Sequence, residues 1–461
     1  MGVEVTSDGK RSLGLFSLVM IAIVSVDSLR NLPVAAQYGF SLITFYAFAG
    51  LTFFVPLAWV TSKLAAKYPN TGGSYIWISK AFGSSYGNLA ILIQWLYNMI
   101  WYPTIFAFIT ATFASLFFPD LANNREFILL VSLVLFWSLS IMHCRGIRAI
   151  SWFSTSSAII GTLLPMTFMI ILAGIWLWSG KPSATPLSWD ALIPKSRDFH
   201  NIGFFSNVLF SLIGLEIIAM HAGNVKNPAK NYARAAYISV IAILFTVVFS
   251  SSALCVIMPV EELTLLNGLG DVLRIFFAAH AITNISLVIG FCIIVGGLGI
   301  AGSWMAGLAR GLHVSMGAMN APKWLKSVNK NHMPVGILFL QAVVYTMLMC
   351  AFLFFSNINN SYWMLSAIAA QFGLLYYILL FCAAVKLVCQ DNLNLANKFW
   401  GYLLSGVASL VCLVGIIVGF IPPEISNSST QLTFHLLLAF FFALLGFLPF
   451  LKYLVKRKHI G

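Results

Sequence analysis

The sequence predicts an all-α integral membrane protein of about twelve transmembrane helices, and three observations lead there. Hydrophobic residues fill 60% and charged residues 8% of the 461 positions, against roughly 45–50% and 25% in soluble globular chains. A water-facing surface could not be assembled from such a chain, whereas a lipid-facing one needs no charge. The apolar residues fall into runs of ~20, the length that crosses a roughly 30 Å hydrocarbon core. The basic residues, finally, sort by loop.

The runs lie near 13–38, 41–62, 86–118, 126–142, 149–178, 202–222, 235–258, 272–308, 334–355, 362–389, 400–421 and 432–455. With the N-terminus inside, Lys10 and Arg11 precede the first, Lys63, Lys67 and Lys80 follow the second, and Arg145 and Arg148 follow the fourth. Lys226, Lys230 and Arg234 follow the sixth, Arg310, Lys323, Lys326 and Lys330 the eighth, and Lys386 and Lys398 the tenth. Lys452, Lys456, Arg457 and Lys458 close the chain. Only Arg125, Lys181, Lys195, Arg197 and Arg274 fall on the opposite side, with most of the acids. Both termini are therefore expected in the cytoplasm.

The longest connection, about 179–200, is too short to fold alone, so residues 1–461 are expected to form one membrane domain. The basic tail after Tyr453 is expected to lie against anionic lipid headgroups. A net charge of +13 would suggest nucleic acid as the partner of a soluble protein; here the positives follow the loops, and no nucleic acid is expected. A cleaved signal peptide is disfavoured, because Asp27 and Arg30 interrupt the first run and the run then resumes. The seven cysteines lie within or beside apolar runs, so neither a disulfide nor a metal cluster is expected. No phosphate loop of the Gly-Lys-Ser/Thr type occurs, which disfavours ATP-driven chemistry, and no cofactor is expected. His143, His221, His280 and His435 show no metal-ligand spacing and read as structural or solvated.

Three ionisable residues fall inside spans: Asp27 and Arg30 in the first, Glu216 in the sixth. Each costs roughly 2.5–3.5 kcal/mol to insert at mid-membrane. Asp27 and Glu216 both stand fourteen residues after the start of their runs, so they are expected at similar depth. Interruptions in spans one and six are the expected mark of two five-helix inverted repeats, about 13–178 and 202–389, with helices eleven and twelve (about 400–455) outside them. Ser25 to Asn31 is a polar stretch ended by Pro33, and Gly214 precedes Glu216, so breaks are expected at Asp27 to Asn31 and at Gly214 to Ile218. Free N–H groups there would hold a carboxylate, and free carbonyls an ammonium. Ser25, Asp27, Arg30, Gly214 and Glu216 are the candidate substrate-binding residues, with Glu216 also the candidate for proton coupling. The competing structural reading makes Asp27 and Arg30, three apart on one face, an internal ion pair. Trp304 follows a glycine-rich stretch, Val295 to Ser303, where a neighbouring helix can approach closely. It is read either as a packing residue or as a wall of the site.

Pro69-Asn70-Thr71-Gly72-Gly73-Ser74-Tyr75 is similar to the Pro-x-x-Gly-Gly-x-Tyr signature of the amino acid, polyamine and organocation (APC) permeases. Gly214-Leu215-Glu216 with Val225 to Asn231 resembles the sixth-helix break of that family and the loop beyond it. Within the superfamily, Val328 to Val335, Gly419 to Glu424 and Leu448-Pro449-Phe450 resemble most closely the bacterial glutamate/GABA antiporters. The resemblance implies a secondary active amino acid transporter of the bacterial inner membrane, an antiporter or proton-coupled symporter working by alternating access. It implies a cavity between spans one, three, six, eight and ten, with Glu216 as its carboxylate and Trp304 as a bulky wall. The chain departs from the pattern in carrying Arg30 where relatives have an aromatic residue nearby, and in ending at Gly461 soon after its last span. The first departure should change the preferred substrate side chain, and the second sets acid-gated exchange apart from amino acid transport. A membrane-embedded transferase would need a reactive cluster at one membrane face, and a channel would favour rings of like charge; single charges of mixed sign suit a zwitterion better. Ser303 alone is a weak basis for a sodium site. The substrate, the coupling ion and the oligomeric state are left open, with a homodimer as one option.

Overall fold

The computed structural model describes residues 14–68, 73–146, 156–225, 227–280, 285–318, 321–331, 333–350, 358–390, 395–422 and 430–443. Pro69 to Gly72, Lys226, His332, Pro423, Glu424, the 448–450 motif and the basic tail lie outside the described residues. The chain is a nearly all-helical multi-pass membrane protein. Among the described residues eight helical stretches are long and apolar enough to cross a membrane, and four shorter apolar helices fall where the remaining spans were expected.

The first span is two short helices, α1 (Leu15–Val26) and α2 (Asn31–Ala36). Asp27 caps α1 in an extended conformation (φ −76°, ψ 122°), which stops the helix there. Pro33 does not end the polar stretch, as its sequence position suggested. It occupies the first turn of α2, where the missing N–H would have no helical partner anyway. The second span joins α3 (Leu42–Ala49) to α4 (Val55–Lys67) through a π-helical turn, Gly50–Phe54. After α5 (Gly73–Phe82) comes α6 (Ser84–Phe117), whose 34 residues extend about 51 Å at 1.5 Å per residue. It is apolar on all faces because it is buried on all faces. Next follow α7 (Arg125–Cys144) and α8 (Leu164–Trp178), the latter continuing a π segment, Ser157–Leu163.

Beyond the short α9 (Ser196–His200), the sixth span is α10 (Phe204–Phe210) followed by a 3₁₀ segment, Leu215–Asn224. The remaining helices are α11 (Pro228–Ile257), α12 (Gly268–Ala279), α13 (Ile285–Ala318), α14 (Lys323–Lys326), α15 (Val335–Cys350), α16 (Ile358–Cys389), α17 (Leu395–Val418) and α18 (Thr430–Ala443). The centre is α6 packed against α13 and α16, with the broken first span held between α11 and α13.

The glycine-rich stretch of α13 permits the close approach its composition suggested. A Cβ placed on Gly296 would lie 1.9 Å from the Gly161 carbonyl oxygen, and one on Gly161 would lie 2.1 Å from the Gly296 nitrogen. Backbone meets backbone at this crossing. His143 ties the same helix to α7: its two ring nitrogens lie 2.7 Å from Leu139 O and 2.9 Å from Gly302 O. This agrees with the structural reading of that histidine.

Gly296→Ala is therefore expected to force the π segment and α13 apart, at a cost of about 1–3 kcal/mol. Thermal unfolding of the purified protein checks this: the variant should melt at a lower temperature, whereas Gly174→Ala, at a position with nothing within 4 Å, should not.

Candidate functional site

The two breaks supply the polar backbone of the site. In the first, the N–H groups of Ser28, Leu29 and Arg30 donate to no backbone carbonyl among the described residues, while those of Asn31 and Leu32 bond Ser28 O and Leu29 O. In the second, the carbonyls of Ser211, Leu212 and Ile213 receive no backbone N–H among the described residues. This break runs through Ser211 to Gly214, ahead of the expected Gly214 to Ile218. Glu216 stands instead in the first turn of the 3₁₀ segment. The chain turns at Gly214, whose φ of +116° a side chain would strain, and where a Cβ would fall 2.7 Å from Ser25 O. At that point the two broken spans touch.

Between them lies a small cavity of about 30 Å³, room for about one water and far below the roughly 300–1,000 Å³ usual for open ligand sites. Ser25, Ser28, Arg30 and Asn31 line it from the first span, Tyr97, Asn98 and Trp101 from α6, Phe210 and Ile213 from the sixth span, and Ile300 and Trp304 from α13. The Trp304 indole closes one wall by donating from Nε1 to Ser25 O at 2.9 Å. Tyr97 stands edge-on to Trp304, ring centroids 6.1 Å apart. Trp304 thus packs on the first span and walls the cavity.

Arg30 is the only charged residue in this lining. Its Nη1 donates to Ser366 Oγ at 2.9 Å and to Thr104 Oγ1 at 3.2 Å, and its backbone carbonyl accepts from Tyr362 Oη. The guanidinium carbon lies 5.9 Å and 5.7 Å from the rings of Trp101 and Tyr362, within cation–π range. Among the described residues its Nε has no hydrogen-bond partner. The ion pair with Asp27 that their spacing allowed does not form. Arg30 turns toward α6 and α16, while the Asp27 carboxyl turns toward α11, where Thr246 Oγ1 lies 2.6 Å from Oδ2. Helical spacing governs only a continuous helix, and the break falls between the two residues.

Asp27, Gly214 and Glu216 do not line the cavity, contrary to their place among the candidates as direct contacts. Glu216 is fully buried behind it. Its Oε2 accepts from Tyr377 Oη at 2.5 Å and its Oε1 from Gln94 Nε2 at 3.3 Å. The same Tyr377 oxygen accepts from the Gly214 N–H at 2.8 Å, so one tyrosine of α16 fixes both the turn and the acid. Sequence reading missed Tyr377, Thr104, Ser366 and Thr246. Each is a neutral residue in an apolar span, marked only by being hydrogen-bond capable where such groups are scarce. Among the described residues no three His, Cys, Asp or Glu side chains are placed to hold a metal ion.

A multi-pass helical bundle with two interrupted spans facing a small polar cavity has the form of a membrane transporter. The amino acid permease family model matches residues 13–445, and the chain belongs to that family. It is 40% identical to an uncharacterized transporter of Legionella pneumophila, covering 98% of this chain and 97% of that protein. It is 23% identical to a glutamate/gamma-aminobutyrate antiporter of Lactococcus lactis (98% and 92% covered) and 25% identical to a probable agmatine/putrescine antiporter of the same species (82% and 80%). These are transporters rather than enzymes, so the transferase reading is set aside.

Tyr377→Phe is expected to leave both the Glu216 carboxyl and the Gly214 N–H short of a partner, lowering stability by about 1–3 kcal/mol per buried group left unsatisfied. Thermal unfolding in detergent should show the loss, and an unchanged midpoint would mean that the tyrosine hydroxyl does not hold the turn.

Proposed function

We propose that the protein is a secondary active amino acid transporter that binds its substrate at the broken parts of the first and sixth spans and works by alternating access. The observation that carries this reading is that both breaks reach one cavity with backbone groups that lack a backbone partner among the described residues: the N–H groups of Ser28 and Arg30 and the carbonyl of Ile213. The first set suits a carboxylate and the second an ammonium, the two ends of an amino acid. Unpaired backbone at this depth is tolerated only where it lines such a cavity. The antiporter names of the Lactococcus relatives favour exchange.

In this reading spans one to five and six to ten form two inverted repeats, with α17 and α18 outside them. Both termini face the cytoplasm of a bacterial plasma membrane. Arg30 supplies the cation that completes the coordination of a substrate carboxylate, and its unpartnered Nε gives it a donor to spare. Trp304 closes the cavity through its bond to Ser25 O. Glu216 takes its part from behind the wall, exchanging a proton as the Tyr377 and Gln94 contacts change.

The test is exchange by purified protein in liposomes loaded with a mixed amino acid pool, assayed with each labelled amino acid against pH and sodium. Arg30→Lys keeps the charge and loses the fork. It should express normally and bind the transported amino acid at least about tenfold more weakly, a loss of ~1.4 kcal/mol; unchanged affinity would return Arg30 to a structural role. Glu216→Gln should keep the fold and alter the pH dependence of exchange, and a profile superimposable on that of the wild type would remove Glu216 from the mechanism.

A further inference from the structure

Asp27 is a buried carboxyl at the first break that the substrate reading leaves without a task. It is 0% exposed, it is not among the residues that line the cavity, and among the described residues Oδ1 has no hydrogen-bond partner. Among them its one side-chain hydrogen bond is with Thr246 Oγ1 of α11, 2.6 Å from Oδ2. That hydroxyl also lies 3.0 Å from Ala242 O and 3.1 Å from Ile243 O. Three acceptors thus surround one proton.

We propose that Asp27 is a proton-binding site, neutral while the first span packs against α11 as it does here, and titrating when transport parts the two. With the carboxyl neutral, its own O–H donates to Thr246 Oγ1, and the threonine proton is free for the helix carbonyls one turn back, the usual bond of a threonine inside a helix. Every proton then has an acceptor, and the unpartnered Oδ1 is a neutral carbonyl oxygen. Ionised, the group would be a full charge in a low-dielectric site with one contested donor, an arrangement native interiors avoid.

Among the described residues no cation pairs with Asp27. α13, which also packs on α1, carries Cys292, Arg310 and His313, none of them bonded to it. α11 brings Thr246 and, further along, Cys255, whose Sγ bonds Ala36 O. α3 brings Tyr46, engaged with Ser211 Oγ. The 3₁₀ segment brings Glu216, already bonded to Tyr377 and Gln94. The π segment and α8 bring no titratable side chain. Arg30, on the same break, is turned to Thr104 and Ser366.

The coupling follows from where the pair sits. α11 holds both halves of the first span, through Thr246 at the end of α1 and Cys255 at α2. Docking the break on α11 therefore takes up a proton, and undocking releases it. The coupling rests on the transporter reading above, whereas the protonation does not.

Infrared spectroscopy of the full-length protein in nanodiscs tests the protonation directly. The stretching band of protonated carboxyl should lose a component as pH rises, and Asp27→Asn should abolish a component that Glu216→Gln leaves in place. A spectrum of Asp27→Asn identical to the wild type at every pH would overturn the proposal. Thr246→Val keeps the test open should Asp27→Asn fail to fold. The protonated carboxyl there loses the acceptor of its O–H, so its component should shift in frequency; an unmoved component would also overturn the assignment. For the coupling, exchange of labelled L-glutamate as probe is followed against pH in liposomes. Asp27→Asn should displace the alkaline limb of the profile, and an unshifted limb would overturn the coupling. If no labelled amino acid exchanged in the liposome assay while the infrared result held, the substrate reading would fail and the protonation would stand.

Discussion

Everything in this molecule depends on one constraint: inside a bilayer, a backbone or ionisable group without a partner is too costly to keep. A continuous helix satisfies its own backbone, so an apolar span can cross alone. A broken one cannot. Each interruption must find partners from other helices, and the bundle is arranged around those debts. Ser25 O is met by Trp304, the Gly214 N–H by Tyr377, the Arg30 guanidinium by Thr104 and Ser366, and the Arg30 carbonyl by Tyr362. These partners come from α6, α13 and α16, which are also the helices packed at the centre.

The same constraint gives the two breaks their chemistry. Among the described residues neither is wholly satisfied by backbone partners. The N–H groups left at Ser28 and Arg30 and the carbonyl left at Ile213 belong to residues that line the cavity. The touching of Gly214 and Ser25 brings the two breaks together, and only a glycine fits that turn. Here packing and function are one requirement.

The three intramembrane ionisable residues have different surroundings. Arg30 faces the cavity among aromatic rings, Glu216 is held behind it by Tyr377 and Gln94, and Asp27 is turned to the opposite side, onto Thr246. Had Asp27 and Arg30 neutralised one another, the cavity would hold no net charge. Because they part, the cavity keeps its cation and the acid is left to α11.

By itself the sequence determined the class and its layout: an apolar chain with charges sorted by loop has no other stable form than a bundle of membrane helices. It also marked the first and sixth spans as the unusual ones, because an ionisable residue at mid-depth is visible without any knowledge of its neighbours. The tertiary structure decided everything that depends on which side chain faces which. The ion pair expected from the three-residue spacing of Asp27 and Arg30 assumed a helix that the break removes. The second break falls before Glu216 rather than around it, because the left-handed turn at Gly214 lets the chain resume as a 3₁₀ helix at once. Tyr377, Ser366 and Thr246 lie 161, 336 and 219 residues from the groups they serve. No local pattern encodes such distances, since a hydroxyl in an apolar span is legible as polar but its partner is fixed only by how the helices pack.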